Sequence, residues 1–288
     1  MSTKFKLILT GSILFYLCVQ SINLFAWNYT GHRVIAQIAY DDLTPMTRQK
    51  IRQLMKALPH TGTTERHFIE AAVWADDIRN QGVTAFNHWH FMNRPIIIDG
   101  VKPKSRQRYH IIWATQKCVQ VLSSSKASID AKAWFLRFYL HLVGDLHQPL
   151  HCVEFYSPRF PNGDHGGNRY LVKSSLGDNL HQVWDRGVGY FNRYRGKNRV
   201  RQLADQVKHR YPRSVLNEQL LNHPNPSQWA YEGYKIAKKF IYTTPLGMPL
   251  SPTYVAQGKV LAVKQLALAG YRLADNLNAL FDSELNNQ

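Results

Sequence analysis

The chain has 288 residues, 44% of them hydrophobic, enough to bury a sizeable core in one large domain or two small ones. Its formal charge of +17 and pI near 9.8 point to an anionic partner such as nucleic acid or an acidic surface, and say nothing of the chemistry done to it. No internal repeat, Gly/Ser linker or low-complexity tract is present, which makes one domain the better count.

The first 26 residues read as an export signal. Lys4 and Lys6 precede a mostly apolar stretch from Leu7 to Val19, and Ala26 stands at a plausible cleavage boundary before Trp27. The apolar stretch is shorter than the roughly 20 residues that a membrane span needs, and no second long apolar run follows. The expected product is a soluble, exported protein, periplasmic or extracellular, comprising residues 27–288. Its only cysteines, Cys118 and Cys152, could pair in an oxidising compartment or stay as buried thiols, and thiolate ligation by Cys152 is conceivable.

From there the pattern is mainly α. Helices are expected over 30–39, over 45–58 with Pro45 at the first position, over 66–78, 105–122 and 131–146, and later over 227–242 and 252–281. Pro149 follows the end of the fifth. Between 155 and 178 prolines and glycines mark loops, with a short β-hairpin near 169–180.

Nine potential metal ligands punctuate this order: Trp27, His32, Asp76, His90, His141, Asp145, His151, His181 and Asp185. The densest run, residues 139–151, holds three histidines and a carboxylate. Imidazole and carboxylate are the ligands of a hydrolytic zinc site, and no nearby cysteine pair competes. His141 and Asp145 are four apart, as are His181 and Asp185, so each pair shares a helix face. Together with His90 and His151 they exceed the three protein ligands of a single catalytic zinc, which favours a multinuclear centre. A lone histidine of this set would read more simply as a hydrogen-bonded core residue; jointly they read as a metal centre.

The motifs Trp-Ala-Asp at 74–76, His-Phe at 90–91, Gly-Asp-Leu-His-Gln-Pro-Leu-His at 144–151, Gly-Gly-Asn at 166–168 and His-Gln-Val-Trp-Asp at 181–185 occur in the order found in a known family. The chain resembles the zinc-dependent single-strand-specific nucleases of the S1/P1 type from fungi and plants, also called bifunctional nucleases, and their bacterial relatives. The resemblance runs from Trp27 through Asp185 and returns at residues 269–274. It implies a single helical domain of the kind shared with zinc phospholipase C, holding three zinc ions at the bottom of a cleft.

Carried over, Asp76, His90, His141 and Asp145 would bind one zinc. Asp145 would bridge to a second, held also by His32 and the free amine and carbonyl of Trp27. His151, His181 and Asp185 would take the third. An amide at the 26–27 bond has no lone pair for a metal, so signal removal would complete the site. The resemblance also gives Asp76 a catalytic position and Arg79 the support of developing phosphoryl charge, with Asn168 as a further contact. Phe91 would stack on a base, and Asn93 would meet its edge where the family commonly has aspartate. His147 would support the ligands around it. The implied activity is hydrolysis of single-stranded DNA and RNA to 5′-phosphorylated products, with 3′-nucleotidase activity, by a monomer without a stable protein partner. The alternative is a zinc-dependent phospholipase C. Against it stand the five residues between Trp27 and His32, an aspartate rather than glutamate at 185, and the Gln-Pro-Leu-His core. A non-catalytic basic binder or zinc store would leave Arg79 and the bridge unexplained.

Overall fold

The computed structural model describes residues 27–59, 62–103, 107–216, 218–221 and 224–282. The export signal read in residues 1–26 lies outside them. Helix α1 (Tyr29–Asp41) starts where the Asn28 side chain accepts hydrogen bonds from the amides of Thr30 and Gly31. Its buried face crosses α11 (Pro252–Asp282), the longest helix described. The crossing is close because Gly270 has no side chain: a Cβ there would stand 2.5 Å from Ile38 Cγ2. Helix α2 (Pro45–Lys56) is capped by Thr44, whose hydroxyl also donates to Asp282 and so ties α2 to the end of α11.

The helix expected over 66–78 is two, α3 (Thr64–Ala71) and α4 (Trp74–Asn80). In a continuous helix the Asp76 amide would bond the carbonyl of Ala72. It bonds Val73 instead, and the Ala72 carbonyl accepts from His141 Nδ1 at 2.8 Å. The break is thus part of the site. Helix α5 (Ile111–Ser123) begins later than the expected 105, while residues 104–106 lie outside the described set. Helix α6 (Ile129–Leu146), capped by Ser128, packs on α5 and has twelve buried residues, among them His141 and Asp145.

The two regular strands among the described residues lie outside the expected hairpin. They are β1 (Pro95–Ile97) and β2 (Glu154–Tyr156), which pair in parallel with Ile96 opposite Phe155. The expected hairpin between 169 and 180 is present but short: Leu171 bridges Asn179 in antiparallel, with the Leu180 amide on the Tyr170 carbonyl and the Val172 amide on the Asp178 carbonyl. The second arm goes no further because Asn179 caps α7 (Leu180–Asp185), and Lys173 turns to Pro249 instead. The remaining helices are α8 (Arg199–Arg210), α9 (Glu218–Leu221) and α10 (Pro226–Lys239), the last close to the expected 227–242. Among the described residues no helix is long and apolar enough to cross a membrane.

Candidate metal centre

Six separate segments deliver the candidate ligand side chains. His32 comes from α1, Asp76 from α4 and His90 from the 3-10 turn Asn87–His90. His141 and Asp145 lie one turn apart on α6, His151 sits in the turn Pro149–Cys152, and His181 and Asp185 lie one turn apart on α7. The parallel strand pair aligns two of these segments: the Met92 amide bonds the His151 carbonyl, and the Glu154 amide bonds that of Arg94. All eight side chains are buried, His32, Asp76, His141 and Asp145 completely.

They gather into three groups: His32, Asp76 and His141; His90, His141 and Asp145; His151, His181 and Asp185. Nitrogen and oxygen ligands lie about 2.0–2.2 Å from a tetrahedral zinc, so neighbouring ligand atoms should be roughly 3.3–3.5 Å apart. Asp145 Oδ2 lies 3.1 Å from His90 Nδ1 and 3.3 Å from His141 Nε2, while its other oxygen lies 3.3 Å from His32 Nε2. One carboxylate therefore faces two ligand sets, the geometry a bridge requires. Asp76 Oδ1 stands 3.7 Å from His141 Nε2 and 3.9 Å from His90 Nδ1. In the third group His181 Nε2 is 3.1 Å from His151 Nε2 and 3.4 Å from Asp185 Oδ2.

The donor set fits metal in a second way. Both ring nitrogens of His32, both oxygens of Asp76 and Oδ1 of Asp145 are buried with no hydrogen-bond partner among the described residues. Such atoms are costly unless something else satisfies them. The outer nitrogens of three histidines are satisfied instead: Nδ1 of His141, His151 and His181 bonds the carbonyls of Ala72, His90 and Gly166 at 2.8, 2.7 and 2.6 Å. That turns each Nε2 inward, toward the other members of its group. The three clusters are geometrically consistent with three metal sites.

Protonation follows from the crowding. Burial, then the repulsion of His141, lowers His32 to about 4, so it stays neutral and able to ligate. Burial opposes charge on His141 too, but Asp145 and Asp76 outweigh it and raise the imidazole to about 9. Despite burial, the facing His141, His32 and His90 rings hold Asp145 well below the usual carboxylate range. Burial pushes Asp185 well above that range, against the hydrogen bond it accepts from Gln148. A cation between Asp185 and its two histidines would hold it ionised.

The second and third groups adjoin a cavity of about 240 Å³, lined by His90, His151 and His181 together with Phe91, Asn93 and Gln107. Phe91 and Asn93 are thus beside the metal centre. Arg79 Nη1 lies 3.8 Å from Asp76 Oδ1, at the edge of the first group. Asn168 is buried, and its amide donates to the His165 carbonyl at 2.8 Å, bracing the loop whose Gly166 carbonyl holds His181. Trp27 is fully buried, its ring edge-on to Phe191, and the adjacent Asn28 amide bonds the Asp185 carbonyl.

His147 does not support the ligands. Its ring faces away, bonding the Val143 carbonyl through Nδ1 and meeting Arg272 at Nε2. Cys118 and Cys152 are free and buried, burial pushes both thiols up, and neither joins a ligand group. Sequence reasoning missed two residues that shape the centre. Gln148 donates to Asp185 Oδ1 at 2.7 Å and leaves the other oxygen to the cluster. Gly144 makes room for the His32 ring, since a Cβ there would stand 2.7 Å from Nδ1. Their place inside the motif at 144–151 was the only available signal.

Residues 27–282 match the family model described as S1/P1 Nuclease. Endonuclease 2 of Arabidopsis thaliana is 26% identical over 90% of this chain and 92% of its own length. Endonuclease 4 of the same plant is 27% identical over 90% of each chain. Nuclease P1 of Penicillium citrinum is 26% identical over 55% of this chain and 57% of its own.

Proposed function

The chain belongs to the S1/P1 nuclease family, and on that premise we propose that it is a monomeric tri-zinc phosphodiesterase. It hydrolyses single-stranded DNA and RNA to 5′-phosphorylated products and removes phosphate from 3′-nucleotides. The observation that carries this reading is the gathering of three buried His/Asp clusters, two of which reach a cavity also lined by the Phe91 ring.

Asp76, His90, His141 and Asp145 hold one zinc in this reading. Asp145 would also help hold a second, with His32 and the amine and carbonyl of Trp27, and His151, His181 and Asp185 would hold the third. When bound, the ions would neutralise the phosphodiester oxygens, acidify the attacking water and offset charge on the departing 3′ oxygen. The protein's own groups orient the substrate. Arg79, kept beside Asp76, presents a planar fork to the phosphoryl oxygens as charge develops. Phe91 stacks on the base next to the scissile phosphate, and Asn93 meets the base edge as both donor and acceptor. Asn168 keeps the loop of Gly166 in place and with it His181. Removal of residues 1–26 on export to the periplasm or medium frees the Trp27 amine.

The test is an assay of purified protein beginning at Trp27 on single-stranded DNA, RNA, 3′-nucleotides and phosphatidylcholine, with and without chelator. Nucleic acid and nucleotides should be cleaved, with activity lost to chelator and restored by zinc. Hydrolysis confined to the lipid would overturn the assignment in favour of a phospholipase.

A further inference from the structure

Next to the cavity at the metal centre lies a larger one of about 630 Å³, and the two share Asn93 and Gln107 as a common wall. Tyr231 and Tyr234 of α10 also line the larger one. They stand three residues apart on one helix face, with parallel rings 5.9 Å apart at 12°. The Arg94 guanidinium lies 5.3 Å from one ring centre and 5.6 Å from the other. Lys235 Nζ lies 5.1 Å from the Tyr231 ring and Lys238 Nζ 6.0 Å from that of Tyr234. Tyr231 is 41% exposed, and Tyr234 beside it is half-buried with one edge against the core, so the open part of this aromatic face is the Tyr231 ring. Among the described residues none of these three cations has an acidic partner. The one acid of α10, Glu232, points the other way, onto Arg272.

Accessible rings ringed by unpaired cations, with no carboxylate among them, match a flat base and the phosphate beside it. A duplex would hide its base faces, whereas a single strand offers them. Arg94 follows Asn93 directly, so a strand leaving the Phe91 pocket meets Arg94 and the tyrosines next. We propose that this cavity is a second nucleotide subsite. In it a neighbouring nucleotide of the bound strand stacks on Tyr231 and Tyr234, and its phosphate lies on Arg94 with Lys235 and Lys238 nearby. The inference rests on the proposed nuclease reading of the metal centre and extends it from one nucleotide to a strand.

The experiment compares KM for a 3′-mononucleotide with KM for oligothymidylates of about two to eight nucleotides. It uses the zinc-loaded protein and its Tyr231→Ser/Tyr234→Ser, Tyr231→Phe/Tyr234→Phe and Arg94→Gln variants. In the unsubstituted protein KM falls as the substrate lengthens. The serine pair removes roughly tenfold of that gain, and the phenylalanine pair, which keeps the rings, retains it. Arg94→Gln lowers the slope of log KM against log salt on oligonucleotides by about 0.7, one phosphate contact on a single strand. The same length dependence in the serine pair as in the unsubstituted protein overturns the subsite, and so does equal loss in the phenylalanine pair. If the unsubstituted protein hydrolyses neither substrate, the nuclease reading itself fails and the subsite with it.

Discussion

Gln148 is the residue whose removal should separate orientation from ligation. Its amide donates to Asp185 Oδ1, and Asp185 otherwise sits in a buried setting that favours the neutral acid. Gln148→Leu leaves every ligand in place but removes the donor that aims one of them. Such changes lower metal affinity or activity by about 10–100-fold. Zinc titration of the variant should show one site weakened and two unchanged; three unchanged affinities would contradict the assignment. Asp145→Asn is the harsher change, because the amide is a poor bridging ligand between the groups that Asp145 faces. Metal analysis should find fewer than three zincs, and hydrolysis should be abolished. At the substrate side, Asn93→Asp should reorder the four 3′-nucleotides by roughly tenfold or less, the scale of a single neutral hydrogen bond, with zinc content intact. An unchanged ranking would place Asn93 outside base recognition.

Helix α11 is held to its neighbours by one buried charged cluster. Arg272, fully buried, grips both oxygens of Glu232 on α10 at 2.8 and 3.0 Å, bonds the Leu220 carbonyl of α9, and reaches His147 just beyond α6. Arg272→Ala would leave Glu232 buried without a counter-charge, a loss of about 3–5 kcal/mol readable by urea unfolding. His147 adds a pH dependence to the same cluster. Burial, then Arg272, holds its pKa well below the ordinary 6.5. Below pH 6.5 the unfolded chain therefore binds a proton that the folded one refuses. This contribution to stability is complete above pH 6.5 and falls as the pH drops, by up to about 1.4 kcal/mol per unit. His147→Asn should flatten the acid limb of the stability profile; an identical limb would show that other groups produce it.

Across the whole molecule, the start of α1 and the end of α7 are brought together. Trp27 is fully buried and the Asn28 amide bonds the Asp185 carbonyl, so the chain enters the fold beside the metal centre. Gly31 permits this entry, since a Cβ there would stand 2.6 Å from that of Trp27. One residue added before Trp27 would turn the amine into an amide without a lone pair. The extended protein should bind one zinc fewer by metal analysis and lose most of its activity relative to protein beginning at Trp27. Equal zinc content and turnover in the two forms would show that Trp27 only packs.

Features set by local chemistry were legible in the chain itself. Thr44-Pro45 marks the start of α2, and helical spacing alone puts His141 over Asp145 and His181 over Asp185. Helix α8 escaped notice because only Leu203, Ala204 and Val207 of its twelve residues are buried, too few for a clear apolar stripe. Other features depended on partners distant in sequence. The break between α3 and α4 exists with the Ala72 carbonyl on His141, and the parallel pairing of β1 with β2 brings the Phe91 segment to His151. Gln148 finds Asp185, and His147 turns from the metal ligands to Arg272, only once α7 and α11 are packed. Residue type and spacing therefore determined which atoms could bind metal. Tertiary packing decided which of them share a cluster and which oxygen of Asp145 faces each side, because those relations join atoms on different elements and no local periodicity encodes them.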